Sequence, residues 1–133
     1  MTQQDLSATA ALLGLIVLQL IMLSALYAGI PPIATPLFGI APFIGAAIAA
    51  AIAAVVLLPV STGAGRALSV LATLMALVSF GPQKYFDAQF ALIWPAVIAG
   101  QLAAAAILFQ VVRTIRSTRN HTVTPPFDTV SAQ

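Results

Sequence analysis

Four long apolar runs dominate the chain: Thr9 to Gly29, Phe38 to Leu58, Val60 to Gly81 and Ala88 to Val112. Together they contain one formally charged residue, Arg66, near the start of the third run. Each is close to the ~20 residues that an α-helix needs to cross ~30 Å of hydrocarbon. The runs predict an all-α integral membrane protein with four transmembrane helices in a small up-down bundle. The spans are expected at about 9–29, 38–58, 60–81 and 88–112 within a transmembrane domain of residues 1–119.

Only 6% of the 133 residues are charged and 61% are hydrophobic. A soluble domain of ordinary composition carries roughly 25% charged residues, and a water-soluble fold of this size cannot bury so much apolar surface. The bilayer is therefore the expected solvent for most side chains. The first run is not read as an export signal. Met1 to Ser7 lacks Lys and Arg, and the run exceeds the roughly 7 to 15 apolar residues of a signal peptide.

Proline and glycine punctuate the runs. Ile30-Pro31-Pro32-Ile33-Ala34-Thr35-Pro36 has three prolines, which remove backbone donors and fix φ, so the first helix ends before the second begins. Pro59 followed by Ser61-Thr62-Gly63-Ala64-Gly65 reads as a turn. In the third run only the 14 residues Ala67 to Phe80 are uninterrupted. It is kept as a span because Arg66 can snorkel its guanidinium to the headgroups. Gly81-Pro82 ends that helix, and Gln83 to Asp87 mixes charge with aromatic residues, a composition suited to the water–lipid boundary. A short interfacial segment from Lys84 to about Leu92 is expected before the fourth span. The span itself is expected from Trp94 onward, with Pro95 in its first turn or kinking a longer helix.

An even number of crossings puts both termini and the Arg66 loop on one side. Arg113, Arg116 and Arg119 follow the last span, which leaves only Lys84, offset by Asp87, on the other side. The positive-inside rule then predicts a multi-pass protein of the bacterial inner membrane with both termini cytoplasmic. Residues 120–133 turn polar and are expected to form a tail that is disordered unless a partner holds it.

With little hydrophobic drive between helices in lipid, small residues must supply the packing. Gly45, Ala49 and Ala53 recur every four residues in the second run, as do Ala46, Ala50 and Ala54, and Ala96, Gly100 and Ala104 recur likewise in the fourth. The second and fourth helices are expected to pack closely against each other or against a partner. The polar residues expected at mid-membrane are Gln19, Thr73 and Gln101. The two glutamines fall at similar depths and can bond to each other, to Thr73 or to a neighbouring subunit.

Several chemistries are disfavoured. Ion-coupled transport generally uses an ionisable group inside the membrane, and none occurs away from the run boundaries. The sole histidine, His121, lies outside the runs, and there is no cysteine, so no catalytic, cofactor-binding or metal residue is assigned. Gly63-Ala64-Gly65-Arg66 lacks the ending and the preceding strand of a phosphate loop. A basic patch interleaved with aromatics, as nucleic acid would require, is missing. Lys84, Tyr85, Asp87 and Trp94 are expected as interfacial anchors on one side, and Arg113, Arg116 and Arg119 on the other. The expected partners are the lipid bilayer and another membrane protein or further copies of the chain. The expected function is a non-enzymatic accessory or assembly subunit of a larger inner-membrane complex. A homo-oligomeric channel or carrier for a neutral small solute, lined by Gln19, Thr73 and Gln101, is the alternative.

Overall fold

A computed structural model describes residues 1–29, 37–86 and 90–121, without the side chains of 37, 38, 120 and 121. Among these residues the chain is helical and contains no strand. Its elements are α1 (Gln3–Tyr27), α2 (Leu37–Val56), α3 (Gly63–Phe80), a short 3-10 helix (Pro82–Phe86) and α4 (Phe90–His121). All four α-helices lie in segments long and apolar enough to cross a membrane, which suggests a multi-pass membrane protein. The three-proline loop at 30–36, Asp87 and the tail beyond 121 fall outside the described residues.

The buried positions reveal how the helices meet. In α1 they are Asp5, Ala8, Leu12, Leu15, Gln19 and Leu26. In α2 the most buried side chains are Ile44, Ala47, Ala51 and Ala54. In α3 they include Gly65, Ser69, Ala72, Ala76 and Ser79, and in α4 Val97, Gly100, Ala104, Ile107 and Val111. Steps of three and four alternate along every helix, giving a seven-residue repeat. That is the spacing that keeps one seam of a helix facing its neighbours in left-handed packing. The outward faces remain apolar, with Leu13, Val17, Leu20, Ile21, Leu71, Leu74, Val78, Leu102 and Phe109 exposed.

The helices contact one another in a ring. α1 touches α2 and α4, α3 touches the same two, α1 and α3 meet only slightly, and α2 and α4 share no contact among the described residues. The expected direct packing of the second helix on the fourth is therefore not how the described chain assembles. The physical reason lies in the period. A four-residue ridge drifts off the inward seam, whereas the buried stripe of α2 steps by three and four, so Gly45 and Ala49 point outward and Ala53 is only half-buried. In α4 the two patterns coincide at Gly100 and Ala104, both buried.

Two helix starts also differ from expectation. α4 begins at Phe90, before Trp94, and carries Pro95 inside it. Between α3 and α4 the chain forms the 3-10 turn Pro82–Phe86, where the sequence predicts a segment from Lys84 to about Leu92. Pro95 lies in the second turn, where its lost N–H removes a single helical bond close to an end that already has unpaired groups. Pro42 occupies the equivalent place in α2.

Candidate functional site

Polar side chains gather in two groups, one around Asp5 and one around Gln101. α1 opens with a capping box. The Thr2 hydroxyl accepts from the Asp5 N–H at 3.1 Å, and the Asp5 carboxylate accepts from the Thr2 N–H at 3.1 Å and the Thr2 hydroxyl at 2.8 Å. That reciprocal pattern satisfies donors which the first turn of a helix otherwise leaves open. Asp5 is also fully buried, because the α2–α3 turn lies against it. The Val60 and Ser61 N–H groups each donate to its Oδ1 at 3.1 Å, and the Ser61 hydroxyl donates to its Oδ2.

The turn itself is tightly built. Leu58 adopts a left-handed conformation at φ 61°, a geometry that costs a branched L-residue roughly 1–2 kcal/mol. Thr62 caps α3 by accepting from the Gly65 N–H at 2.9 Å. A Cβ at Gly65 would stand 2.1 Å from the Leu58 carbonyl oxygen, so only glycine fits beneath the turn. Arg66 does not simply reach outward as expected. Its Nη1 donates to the Val60 carbonyl at 3.1 Å. The Ser69 hydroxyl donates to the Pro59 carbonyl at 3.1 Å, and Thr73 donates at 2.7 Å to the Ser69 carbonyl within its own helix. Alongside, Thr114 of α4 donates to Gln4 Oε1 of α1 at 2.7 Å.

Five donors converge on the Asp5 carboxylate. An ionised carboxylate offers about four lone-pair sites, so none is left for a proton relay or a metal. Ser61 is held as a donor to that saturated acceptor, which is the opposite of an activated nucleophile. The chemistry of this group is fastening. It ties the start of α1 to a turn about 55 residues away.

At the second group, Gln101 of α4 accepts from the Tyr85 hydroxyl at 2.8 Å and donates to the Phe80 carbonyl at 3.2 Å. Phe80 closes α3, and its carbonyl is among those a helix end leaves without a partner. Gln83 serves the same end, donating to the Leu77 and Val78 carbonyls at 3.3 and 2.7 Å. Tyr85 also packs on Phe90, with ring centroids 4.9 Å apart. Beneath them Gly100 permits close approach of α4 to α3, for a Cβ there would meet the Phe80 Cβ at 3.0 Å.

The residues singled out from sequence are therefore distributed rather than convergent. Gln101 and Tyr85 are brought together, and Gln101 serves the α3–α4 connection instead of pairing with Gln19 or Thr73. Gln19 is 1% exposed, and its Oε1 has no hydrogen-bond partner. Trp94, Arg113, Arg116 and Arg119 are exposed, Lys84 is half-buried, and Ala96 is half-buried at the edge of the α4 seam. Sequence reasoning missed Asp5, although Thr2-x-x-Asp5 ahead of an apolar run is a readable capping signature. No family model, curated protein or solved structure matches the chain.

Proposed function

We propose that the chain is a multi-pass protein of the bacterial inner membrane, with its helices in an up-down bundle and both termini cytoplasmic. Its function in this reading is that of a non-enzymatic accessory or assembly subunit in a larger membrane complex. The hydrogen bonds at Asp5 and Thr114 gather the start of α1, the α2–α3 turn and the last part of α4 at one end. Those at Gln101 bind the α3–α4 connection at the other. Arg66, Arg113, Arg116 and Arg119 belong to the first end, as the positive-inside rule requires of a cytoplasmic face.

The observation that carries the accessory role is the unused small-residue face of α2. Gly45, Ala46 and Ala49 are exposed, and a Cβ at Gly45 would meet nothing within 4 Å. Small residues let helix backbones approach closely in lipid, yet the bundle's own seam lies elsewhere on α2. A helix of another subunit is the natural occupant. Gentle solubilisation from the native membrane tests this. The wild-type chain migrates within a larger species whose other members mass spectrometry identifies, and Gly45→Leu with Ala49→Leu releases it without lowering its thermal stability. Migration alone from the outset counts against the role. Reporter fusions at Gln133 and Gln83 test the orientation, with a cytoplasmic signal required at the first and an external one at the second.

A homo-oligomeric channel has less support. Two of its three expected lining residues, Thr73 and Gln101, are engaged within the chain. Gln19 is buried inside a single copy. Flux in proteoliposomes that disappears in Gln19→Leu or Gln101→Leu variants would restore that reading.

A further inference from the structure

The last turns of α4 carry a feature that helix packing does not use. Leu108, Phe109, Val112, Arg113 and Arg116 line an open groove of about 550 Å³. At ~100° per residue these five positions fall on one arc of the helix, running outward from the edge of the buried seam of Ala104, Ile107 and Val111. The groove is apolar along its first turn and ends in two guanidinium groups. Phe109 is 64% exposed, as other outward-facing apolar residues of the bundle are, so nothing within the chain covers the groove. Neither arginine forms a hydrogen bond or ion pair among the described residues. A second groove, lined by Val17, Leu20, Ile21, Ser24, Ala25 and Ala28 of α1, carries no charge.

We propose that the Leu108–Arg116 groove is a binding site for an anionic glycerophospholipid. One acyl chain lies along Leu108, Phe109 and Val112, and the phosphate with its negatively charged headgroup is held by Arg113 and Arg116. The order of groups along the helix matches the order in a lipid, hydrocarbon first and anion at the boundary. Arginine suits the task because its planar fork pairs two N–H groups with phosphate oxygens and gives up its hydration more readily than lysine. The same length of helix has no acidic residue that would compete for the guanidinium groups. An acidic segment of a partner protein would satisfy the arginines but leave Phe109 and Leu108 without the chain-like occupant that the groove fits. The inference rests on the membrane placement of the helices and is independent of the accessory role.

The full chain, purified in a mild neutral detergent and loaded with phosphatidylglycerol or phosphatidylcholine, tests the site by native mass spectrometry. Wild type is expected to retain phosphatidylglycerol preferentially, with retention falling as salt rises. Arg113→Gln with Arg116→Gln is expected to weaken that retention by about tenfold to thirtyfold, from roughly 1 kcal/mol of attraction per arginine at 1.4 kcal/mol per tenfold. Lys84→Gln, which removes one positive charge elsewhere, is expected to change it less than twofold. Phe109→Ser is expected to reduce retention of both lipids while the preference for the anionic one persists. Equal retention of the two lipids by wild type, or a double arginine variant indistinguishable from Lys84→Gln, overturns the site. A chain that still requires detergent for extraction would then keep its membrane placement. Acidic peptide displacing phosphatidylglycerol at equal concentration would also overturn the assignment, in favour of a protein ligand.

Discussion

Asp5 and Arg66 hold opposite ends of one residue: the carboxylate accepts from the Val60 N–H at 3.1 Å, and the guanidinium donates to the Val60 carbonyl at 3.1 Å. Val60 is itself 1% exposed, so neither of its peptide groups has water as an alternative partner. Buried backbone groups must be paired, and here two charged side chains from different helices do the pairing. The α2–α3 turn is thereby fixed to α1 on one side and to α3 on the other.

Removing the Asp5 carboxylate is expected to be among the most damaging single changes. Asp5→Ala leaves the Val60 and Ser61 N–H groups without an acceptor and is expected to cost about 2 to 3 kcal/mol, the range for hydrogen bonds to a charged group. Asp5→Asn keeps one oxygen and is expected to cost about half of that. Thermal unfolding of the purified chain in detergent measures both. An unchanged midpoint for Asp5→Ala would mean that the fastening is dispensable.

The turn makes opposite demands on two glycines. Gly65→Ala forces a Cβ to within 2.1 Å of the Leu58 oxygen, whereas a Cβ at Gly63 meets nothing within 4 Å. The first substitution is expected to destabilise by more than about 2 kcal/mol and the second by less than about 0.5 kcal/mol. Leu58→Gly, which relieves the left-handed backbone, is expected to raise stability by up to about 1 kcal/mol. Side-by-side unfolding curves decide each sign.

At the other end, Gln101→Leu strips partners from both the Tyr85 hydroxyl and the Phe80 carbonyl. A loss of about 0.6 to 2 kcal/mol is expected, the range for interhelical hydrogen bonds in membranes. Tyr85→Phe is expected to cost less and to add little on top of Gln101→Leu, since both changes break the same bond. Additive losses in that double-variant cycle would show that the two side chains act separately.

Gln19 carries the reverse expectation. A buried oxygen with no partner is already unfavourable, so Gln19→Leu is expected to be neutral or stabilising by about 1 kcal/mol. A marked loss of stability would show that another molecule meets the amide.

These contrasts mark what the sequence could and could not convey. The helical segments were legible because Pro31, Pro59 and Gly81-Pro82 interrupt runs whose hydropathy is otherwise uniform. That same uniformity hid their orientation. When Ala46, Ala47, Ala49, Ala50 and Ala51 are nearly alike, a four-residue ridge and a three–four seam can both be drawn on α2, and only the packed neighbours choose between them. The local half of the Asp5 site was readable in Thr2-x-x-Asp5. Its distant half was not, since Val60 and Ser61 contribute backbone N–H groups that every non-proline residue has. Gln101 was legible as a polar group within an apolar run. Its partners were not, because one of them is again a backbone carbonyl, exposed only where α3 stops.

The fastening of Asp5 to Val60 and Ser61 also has a meaning for biogenesis. The ribosome delivers the first helix long before the donors that complete its opening turn, and at ~5–20 residues per second the interval lasts several seconds. During that interval the carboxylate has only the Thr2 donors and water as partners. A buried position for the carboxylate therefore exists only once the turn of the second hairpin has been made, so the opening of α1 cannot reach its final packing ahead of the residues that cover it.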